Sequence, residues 1–354
     1  MYSEDAIYRV FVILTTRITM KKAKYFQHML EFKRPGGTSR GVLHTKETFI
    51  LEISEDDRKG TGECGLFRGL SPDDVPDYEQ KLKWLCDNIN AEEFVIEDNL
   101  RKYPSIWFGY EQAMRNLKSG TNIYFPGDFT AGKSAIKING LIWMGDAEFM
   151  TEQISDKLSQ GFSCLKLKIG VNWNEEKEII RELRLKFPAD QLELRVDANG
   201  AFSFEEAENV LAELKDFQIH SIEQPIKAGQ IDKMAALCAE TPTPIALDEE
   251  LIGITGYENR KKLLETIQSQ FIILKPTLIG GFSGTDEWIN LAESLKIGWW
   301  ITSALESNIG LNAIAQYTAE KNNPMPQGLG TGGLFTNNFE SSLELNGDVL
   351  KMKT

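Results

Sequence analysis

A chain of 354 residues, 42% hydrophobic and 26% charged, has the make-up of a water-soluble protein with room for one barrel and one smaller domain. Its net charge of −13, with no basic stripe interleaved with aromatics, argues against a nucleic-acid partner, and no apolar stretch approaches the roughly 20 residues that span a bilayer. The cysteines Cys64, Cys86, Cys164 and Cys238 are widely separated and form no CxxC pair, which excludes a zinc or dithiol motif and fits a reducing cytoplasm.

Residues 1–19 carry the apolar run FVIL but neither a basic leader nor a small-residue cleavage site, so they read as an extension ahead of a natural start at Met20 rather than as a signal peptide. The segment 34–41, RPGGTSRG, predicts a mobile surface loop that covers a site. After it, KETFILEI over 46–53 predicts a strand, and Ile106, Tyr110, Ala113, Met114 and Leu117 recur at helical spacing. These elements define an α+β capping domain over 20–134.

From about residue 135 the pattern changes to short apolar runs, each followed by an amphipathic helix. Taking Lys168, Asp197, Glu223, Asp248, Lys275, Ser303 and Gly330 as strand ends, the intervals are 29, 26, 25, 27, 28 and 27 residues, each enough for one helix and one strand. Amphipathic segments at 175–187, 203–217, 259–270 and 308–320 fill the gaps, and Ser203 with Glu206 has capping-box spacing. With IKINGLIWM as the first strand, the count is eight strands and about seven helices, which predicts a modified (β/α)7β, TIM-like barrel over 135–334. A doubly wound open sheet is the alternative, but it gives no reason for charged groups at successive strand ends. In 335–354, Asn346-Gly347 between two β-prone runs predicts a hairpin that packs back on the first domain.

The strand ends carry the chemistry. Asp197, Glu223 and Asp248 stand on three consecutive strands, which lie about 4.8 Å apart, so their oxygens can converge on one hard cation, best magnesium. Any one acid alone would more simply cap a helix or face solvent; three in register favour the metal. Lys166 and Lys168 lie two apart on one strand and so share its interior face, and Lys275 ends the strand across the barrel. Mutual repulsion is expected to lower a lysine pKa and free an amine to act as base, while the metal stabilises the enediolate left by proton loss next to a carboxylate. Arg195 shares a face with Asp197; meeting the carboxylates and forming a structural ion pair within the barrel are equally open readings. His28, His44 and His220 fall outside the strand ends and read as structural or exposed.

The series KLKIG, RVDANGAF, IEQP, DEEL, LKPTLIGG, SALESNIG and GLGTGG, over about residues 20–354, is similar in order and spacing to the branch of the enolase superfamily that includes the muconate lactonising enzymes. Within it the chain resembles dehydratases of menaquinone biosynthesis. That resemblance implies a small carboxylate substrate, 2-succinyl-6-hydroxy-2,4-cyclohexadiene-1-carboxylate, converted to o-succinylbenzoate and water. It implies Lys168 as base and then acid, Lys166 as the lysine that tunes it, and Lys275 as the charge that stabilises the enediolate. Asp197, Glu223 and Asp248 would bind magnesium, with manganese as an alternative, and Asn199 and Glu249 would stand behind them. Arg195, Ser303, Glu306, Ser307, Gly330 and Thr331 would face the substrate, and Ser39 would lie in the covering loop. The rival within the same branch is an N-succinylamino acid racemase or a dipeptide epimerase. The region GLGTGGLF lacks the Asp-x-Asp that typically holds an epimerase substrate's amino group, which weakens the second. No GxGxxG follows the first strand, which disfavours a nucleotide-dependent oxidoreductase.

Overall fold

The computed structural model of the protein describes residues 20–38 and 41–353; the expected extension at 1–19 and Ser39 lie outside them. The chain opens with an antiparallel sheet of β1 (Lys22–Thr38), β2 (Gly41–Glu55) and β3 (Arg58–Cys64). The segment expected to be a loop is mostly strand: Gly36, Gly37 and Thr38 pair with Leu43, Val42 and Gly41 after a register shift beyond Glu31. Glycine content reports backbone freedom, and a partner strand of matching register uses that freedom to pair.

The helix Pro104–Ser119 packs on β3 because β3 is bare there. A Cβ on Gly62 would stand 1.9 Å from Gly109 O, and one on Gly60 2.1 Å from Ala113 O. Alternate glycines on one strand face and Gly109 on the helix thus set a backbone-to-backbone contact that no side chain permits. The helix begins with Pro104 and ends at Gly120, whose φ is +68° and whose N–H donates to Asn116 O. Its apolar face joins Phe49, Leu51, Ile53, Leu82 and Leu85 in a core separate from that of the parallel sheet.

The second half is a mixed α/β unit. β5 (Gly140–Ile142), β6 (Cys164–Lys168), β7 (Glu193–Asp197), β8 (Ser221–Glu223), β9 (Ile245–Leu247), β10 (Phe271–Leu274) and β11 (Gly298–Ile301) form one seven-stranded parallel sheet in chain order. The short segment 327–328 hydrogen-bonds both of its edges: Asn139 N–H donates to Gln327 O at 3.0 Å, and Gly328 N–H to Ile301 O at 2.8 Å. The helices predicted between strands are present as Trp173–Lys186, Phe204–Asp216, Tyr257–Ile267 and Asn308–Lys321. Ser203 and Glu206 form the expected reciprocal cap, Ser203 N–H to Glu206 Oε2 at 2.8 Å and Glu206 N–H to Ser203 Oγ at 3.2 Å. Among the described residues no helix is long and apolar enough to cross a membrane.

The predicted first strand is broken at Asn139. β4 (Ile136–Lys137) leaves the parallel sheet and pairs with the C-terminal hairpin of β12 (Leu343–Asn346) and β13 (Val349–Met352). The hairpin expected to return to the first domain is therefore bonded to β4, and it is the stretch before it that lies along β1, through Phe32 with Phe335 and Glu31 with Asn337. Its turn is shifted by one residue: Asn346 pairs with Val349, and Gly347, at φ +60°, takes the first central position. Asp348, the second, is used elsewhere, its Oδ2 accepting from Ser163 Oγ at 2.8 Å.

Candidate active site

Parallel register places Lys168, Asp197 and Glu223 side by side at the ends of β6, β7 and β8, with Asp248 and Lys275 immediately after β9 and β10. All five lie at one end of the sheet. Lys166 Nζ stands 3.0 Å from Asp197 Oδ2 and also bonds Glu223 Oε2. Lys168 Nζ donates to Asp197 Oδ2 at 2.9 Å and to Asn199 Oδ1 at 2.6 Å, and Lys275 pairs with Asp248. The carboxylates are at most 2% exposed, so the charges act in a medium far less screening than water.

The backbone behind them is specialised. Asn199 has φ +45° and Gln224 φ +41°, conformations that few side chains tolerate. Asn199 links Asp197 to Glu249, its Nδ2 donating to Glu249 Oε1 at 3.1 Å. Gln224, fully buried, accepts the N–H groups of Asp248 and Glu250 at 3.2 Å and donates to Glu250 Oε2 at 3.1 Å, which fixes the turn that aims Asp248. Sequence reasoning passed over Gln224, although its place beside Glu223 in IEQP was a signal.

The acids are held by ion pairs, and one expectation, that of the lysine pKa values, is corrected here. The three acids do not converge as a ready metal shell, and among the described residues no group of three or more carboxylate, imidazole or thiol side chains does. Each acid is instead turned to a lysine, because the ammonium groups supply the countercharge. The pKa values of Lys166 and Lys275 move against expectation. Burial alone would lower that of Lys166, but the attraction of Asp197, then Glu223 and Asp248, outweighs it and holds the value above the ordinary lysine range. Lys275 is likewise raised, against the pull of burial, by Asp248 and then Glu223. Asp197, despite burial, is held well below the carboxylate range by Lys166, Lys168 and Lys275. Burial, and then Asp197, push Glu223 well above it. The lysine spacing alone suggests repulsion, but in the fold the carboxylates at the ends of β7, β8 and β9 outweigh burial at Lys166.

Glu223 keeps one further mark: its Oε1 is buried without a hydrogen-bond partner. An orphaned carboxylate oxygen beside two other buried acids fits a cation-binding role, and an all-oxygen donor set fits a hard divalent ion.

The lysines and Asp197 open into a cavity of about 90 Å³ that Ser303, Gly330 and Thr331 also line, as expected. Phe67 and Leu70 from the first half, and Asn139, Leu141, Trp143 and Leu305 from the second, line it too. None of these six carried a sequence signal, since an apolar pocket wall looks like core until the fold brings it to a charged site. Leu305 has φ +63°, held by its N–H to Ser303 Oγ at 3.0 Å.

Other expected contacts lie elsewhere. Glu306 is fully buried behind the wall, accepting from Ser303 Oγ at 2.7 Å and Ala304 N–H at 2.8 Å and bonding Thr277. Ser307 caps the helix Asn308–Lys321 and bonds Glu63, a buried acid of β3 that also accepts Gly310 N–H at 2.9 Å. Arg195 takes the structural of its two readings: it pairs with Glu193 at 2.7 Å, donates to Pro326 O at 2.9 Å and lies over Trp300. His220 packs against Phe271, and His28 contacts Asn337 O and the ring of Phe339. A larger cleft of about 480 Å³, between the helices Glu93–Leu100 and Pro104–Ser119 and the helices Tyr257–Ile267 and Gly281–Ser294, contains none of the strand-end lysines or acids.

Comparison with known proteins agrees with this geometry. Residues 150–342 match the family model described as Enolase C-terminal domain-like. The chain is 46% identical over 359 residues to the o-succinylbenzoate synthase of Desulfotalea psychrophila, covering 92% of this chain and 97% of that one. The crystal structure of MenC from Desulfotalea psychrophila LSv54 superposes with a TM-score of 0.84 at 41% identity, over 94% of this chain and 99% of that one. A dipeptide epimerase from Enterococcus faecalis, complexed with Mg and the dipeptide L-Leu-L-Tyr, reaches 0.79 at 18% identity over 95% of this chain and 98% of its own, a likeness of fold. With more than half of its length matched by the family model and nearly all of it by a close relative, the chain belongs to the enolase superfamily, in the branch of the o-succinylbenzoate synthases.

Proposed function

We propose that this protein is a carbon–oxygen lyase that dehydrates 2-succinyl-6-hydroxy-2,4-cyclohexadiene-1-carboxylate to o-succinylbenzoate in menaquinone biosynthesis, with magnesium as its cofactor. The observation that carries this reading is the near full-length kinship with an o-succinylbenzoate synthase. The lysine and acid positions named from the sequence also meet at one end of the parallel sheet. We read that sheet, with segment 327–328 bonded to both edges, as the (β/α)7β barrel, and 20–134 as its cap. The contacts of Phe32 with Phe335 and of Glu31 with Asn337 support assigning the C-terminal stretch to the cap, although its hairpin pairs with β4.

Asp197, Glu223 and Asp248 would hold the ion, steadied by Asn199 and Glu249; manganese takes the same oxygen ligands. When bound, such an ion supplies fixed positive charge to the substrate carboxylate. Lys168, which reaches the pocket beside Asn199, takes the proton α to that carboxylate. It then returns a proton to the departing hydroxyl, so that one C–H and one C–O bond break, the ring gains a π bond and water leaves, with no change of oxidation state overall. Lys166, 3.0 Å from Asp197 and bonded to Glu223, serves as a fixed cation. Lys275, beyond the acids, stabilises the charge that develops. Ser303 and Thr331, joined at 2.9 Å, offer hydroxyls from the rim, and Phe67, Leu70 and Trp143 exclude water.

A direct comparison tests the assignment. Given the cyclohexadiene precursor and an N-succinylamino acid in parallel, the protein is expected to aromatise the first, read by ultraviolet absorbance, faster than it racemises the second, read by polarimetry. Racemisation without aromatisation would move the chain to the racemases.

A further inference from the structure

Three ionisable side chains, each at most 3% exposed, are buried together where the cap meets the parallel-sheet half: Lys46 of β2, Glu63 of β3 and Glu306 in the turn after β11. Two glycines let them meet. A Cβ on Gly65 would stand 3.0 Å from Thr277 Cγ2 and 3.3 Å from Glu306 Cγ, and one on Gly310 would stand 2.8 Å from Glu63 Oε2 and 2.9 Å from Glu306 Cβ. The cap backbone thus closes directly on the turn that carries Glu306, and Lys46 Nζ stands 3.5 Å from the carbonyl oxygen of the same Gly65. Glu63 is held by the start of the helix Asn308–Lys321, accepting Ser307 N–H and Gly310 N–H, both at 2.9 Å, and the hydroxyls of Thr48 and Ser307. For Glu306, burial pushes the carboxyl above its ordinary range and Glu63 adds to that push, while Lys46 is the strongest influence that favours its charge.

Glu306 acts on the pocket through two hydroxyls. A hydroxyl has one proton to give and two lone pairs. Ser303 Oγ meets three partners: Leu305 N–H at 3.0 Å, Glu306 Oε2 at 2.7 Å and Thr331 Oγ1 at 2.9 Å. The first can only donate. Glu306 Oε2 also takes Ala304 N–H at 2.8 Å, as a carboxylate oxygen does, so Ser303 gives its proton there. With its proton spent on Glu306, Ser303 can only accept from Thr331, and Thr331 spends its own proton in turn. The Thr331 oxygen is then left with lone pairs alone. Thr331 lines the reaction pocket, so the buried acid behind the wall sets which half of a hydrogen bond the rim can make.

We propose that Glu306 is a positioning residue: it fixes the chain from Thr331 through Ser303 to its own carboxylate, and so makes Thr331 a hydrogen-bond acceptor for the ring hydroxyl of the substrate. The identity of that hydroxyl rests on the function proposed above. With both carboxylates of the cyclohexadiene ionised, the ring hydroxyl is the one O–H donor the molecule has. A hydroxyl that donates its hydrogen carries more charge on its oxygen and takes a proton from Lys168 more readily. The aromatic product has no such group, so the rim holds the substrate and lets the product go. Lys46 supplies from the cap the positive charge that suits Glu306 to this task.

The test uses the full-length protein, with kcat/KM on the cyclohexadiene precursor and the affinity for o-succinylbenzoate by titration calorimetry. Thr331→Val, which keeps the shape and removes the acceptor, should lower kcat/KM by about tenfold, the worth of one hydrogen bond at its upper end. Its affinity for o-succinylbenzoate should change little, because that ligand has no hydroxyl to lose. Glu306→Met should fall in the same way, and combining it with Thr331→Val should cost nothing further, since both act through one contact. Glu306→Gln loses the same charge but keeps an acceptor for Ala304 and Ser303, so it should recover most of what the methionine loses; a merely structural ion pair would lose as much in either variant. Wild-type kcat/KM in Thr331→Val, product affinity lost in step with kcat/KM, or a glutamine variant no better than the methionine each overturns the proposal. If Glu306→Met does not fold, Thr331→Val decides by itself on the same two readings. Wild-type protein that binds o-succinylbenzoate yet leaves the precursor unchanged overturns the function beneath instead.

Discussion

Lys168→Ala is expected to lower kcat by about a thousandfold or more, the usual contribution of a positioned general base, while the protein stays folded. The expectation follows from the way the charges are shared. Asp197 Oδ2 accepts from both Lys166, at 3.0 Å, and Lys168, at 2.9 Å, so removing Lys168 leaves the buried carboxylate one ammonium partner. Folding therefore loses little, whereas the proton acceptor facing the pocket is gone. Steady-state kinetics beside a thermal melt checks both halves. A variant with ordinary kcat would mean that another group removes the proton, and a variant that fails to fold would mean that the charge sharing is weaker than the geometry implies.

Asp248→Asn should act in the opposite way, on stability as well as on activity. Its carboxylate pairs with Lys275, whose side chain is 11% exposed, and it is the strongest of the carboxylates whose attraction raises that ammonium's pKa. Removing one member of such a pair leaves a buried ammonium without its direct partner, at a cost of roughly 3 kcal/mol. It also removes one of the three acids proposed to hold magnesium. The variant should melt lower, bind magnesium weakly by calorimetry and turn over poorly. Adding Lys275→Met should recover much of the stability without the activity, because the unpaired ammonium is then gone. Recovery of activity in the double variant would contradict the roles given to both residues.

The strand-end ladder was legible because a parallel α/β sheet in chain order repeats one sequence unit, an apolar run and an amphipathic helix, and brings the ends of those runs to one side. Lys168, Asp197, Glu223, Asp248 and Lys275 all stand out from that pattern alone, and the structure brings all five to one end of the sheet. What stayed hidden depends on contacts between strands that sequence spacing does not carry. Lys166 and Lys168 look like two repelling cations along the chain; only the register of β6 with β7 and β8 reveals the carboxylates that hold the proton on Lys166. Glu306 and Ser307 follow Ser303 closely in sequence, yet the turn after β11 aims Glu306 at Thr277 and Ser307 at Glu63, away from the pocket. Asn139 was read as one residue of an ordinary strand; it marks the break at which β4 leaves for the C-terminal hairpin and β5 enters the parallel sheet. Glycines at 36 and 37 signalled a loop, but matching register with β2 made them strand.

The central claim, magnesium-assisted dehydration at this site, is tested most directly by following ultraviolet absorbance as the protein meets 2-succinyl-6-hydroxy-2,4-cyclohexadiene-1-carboxylate, first with magnesium, then with a chelator, then with magnesium restored. The account predicts rapid formation of o-succinylbenzoate that stops on chelation and returns with the ion. Formation that continues unchanged in the chelator would contradict the role of Asp197, Glu223 and Asp248, and no formation under any condition by folded protein would contradict the proposed reaction itself.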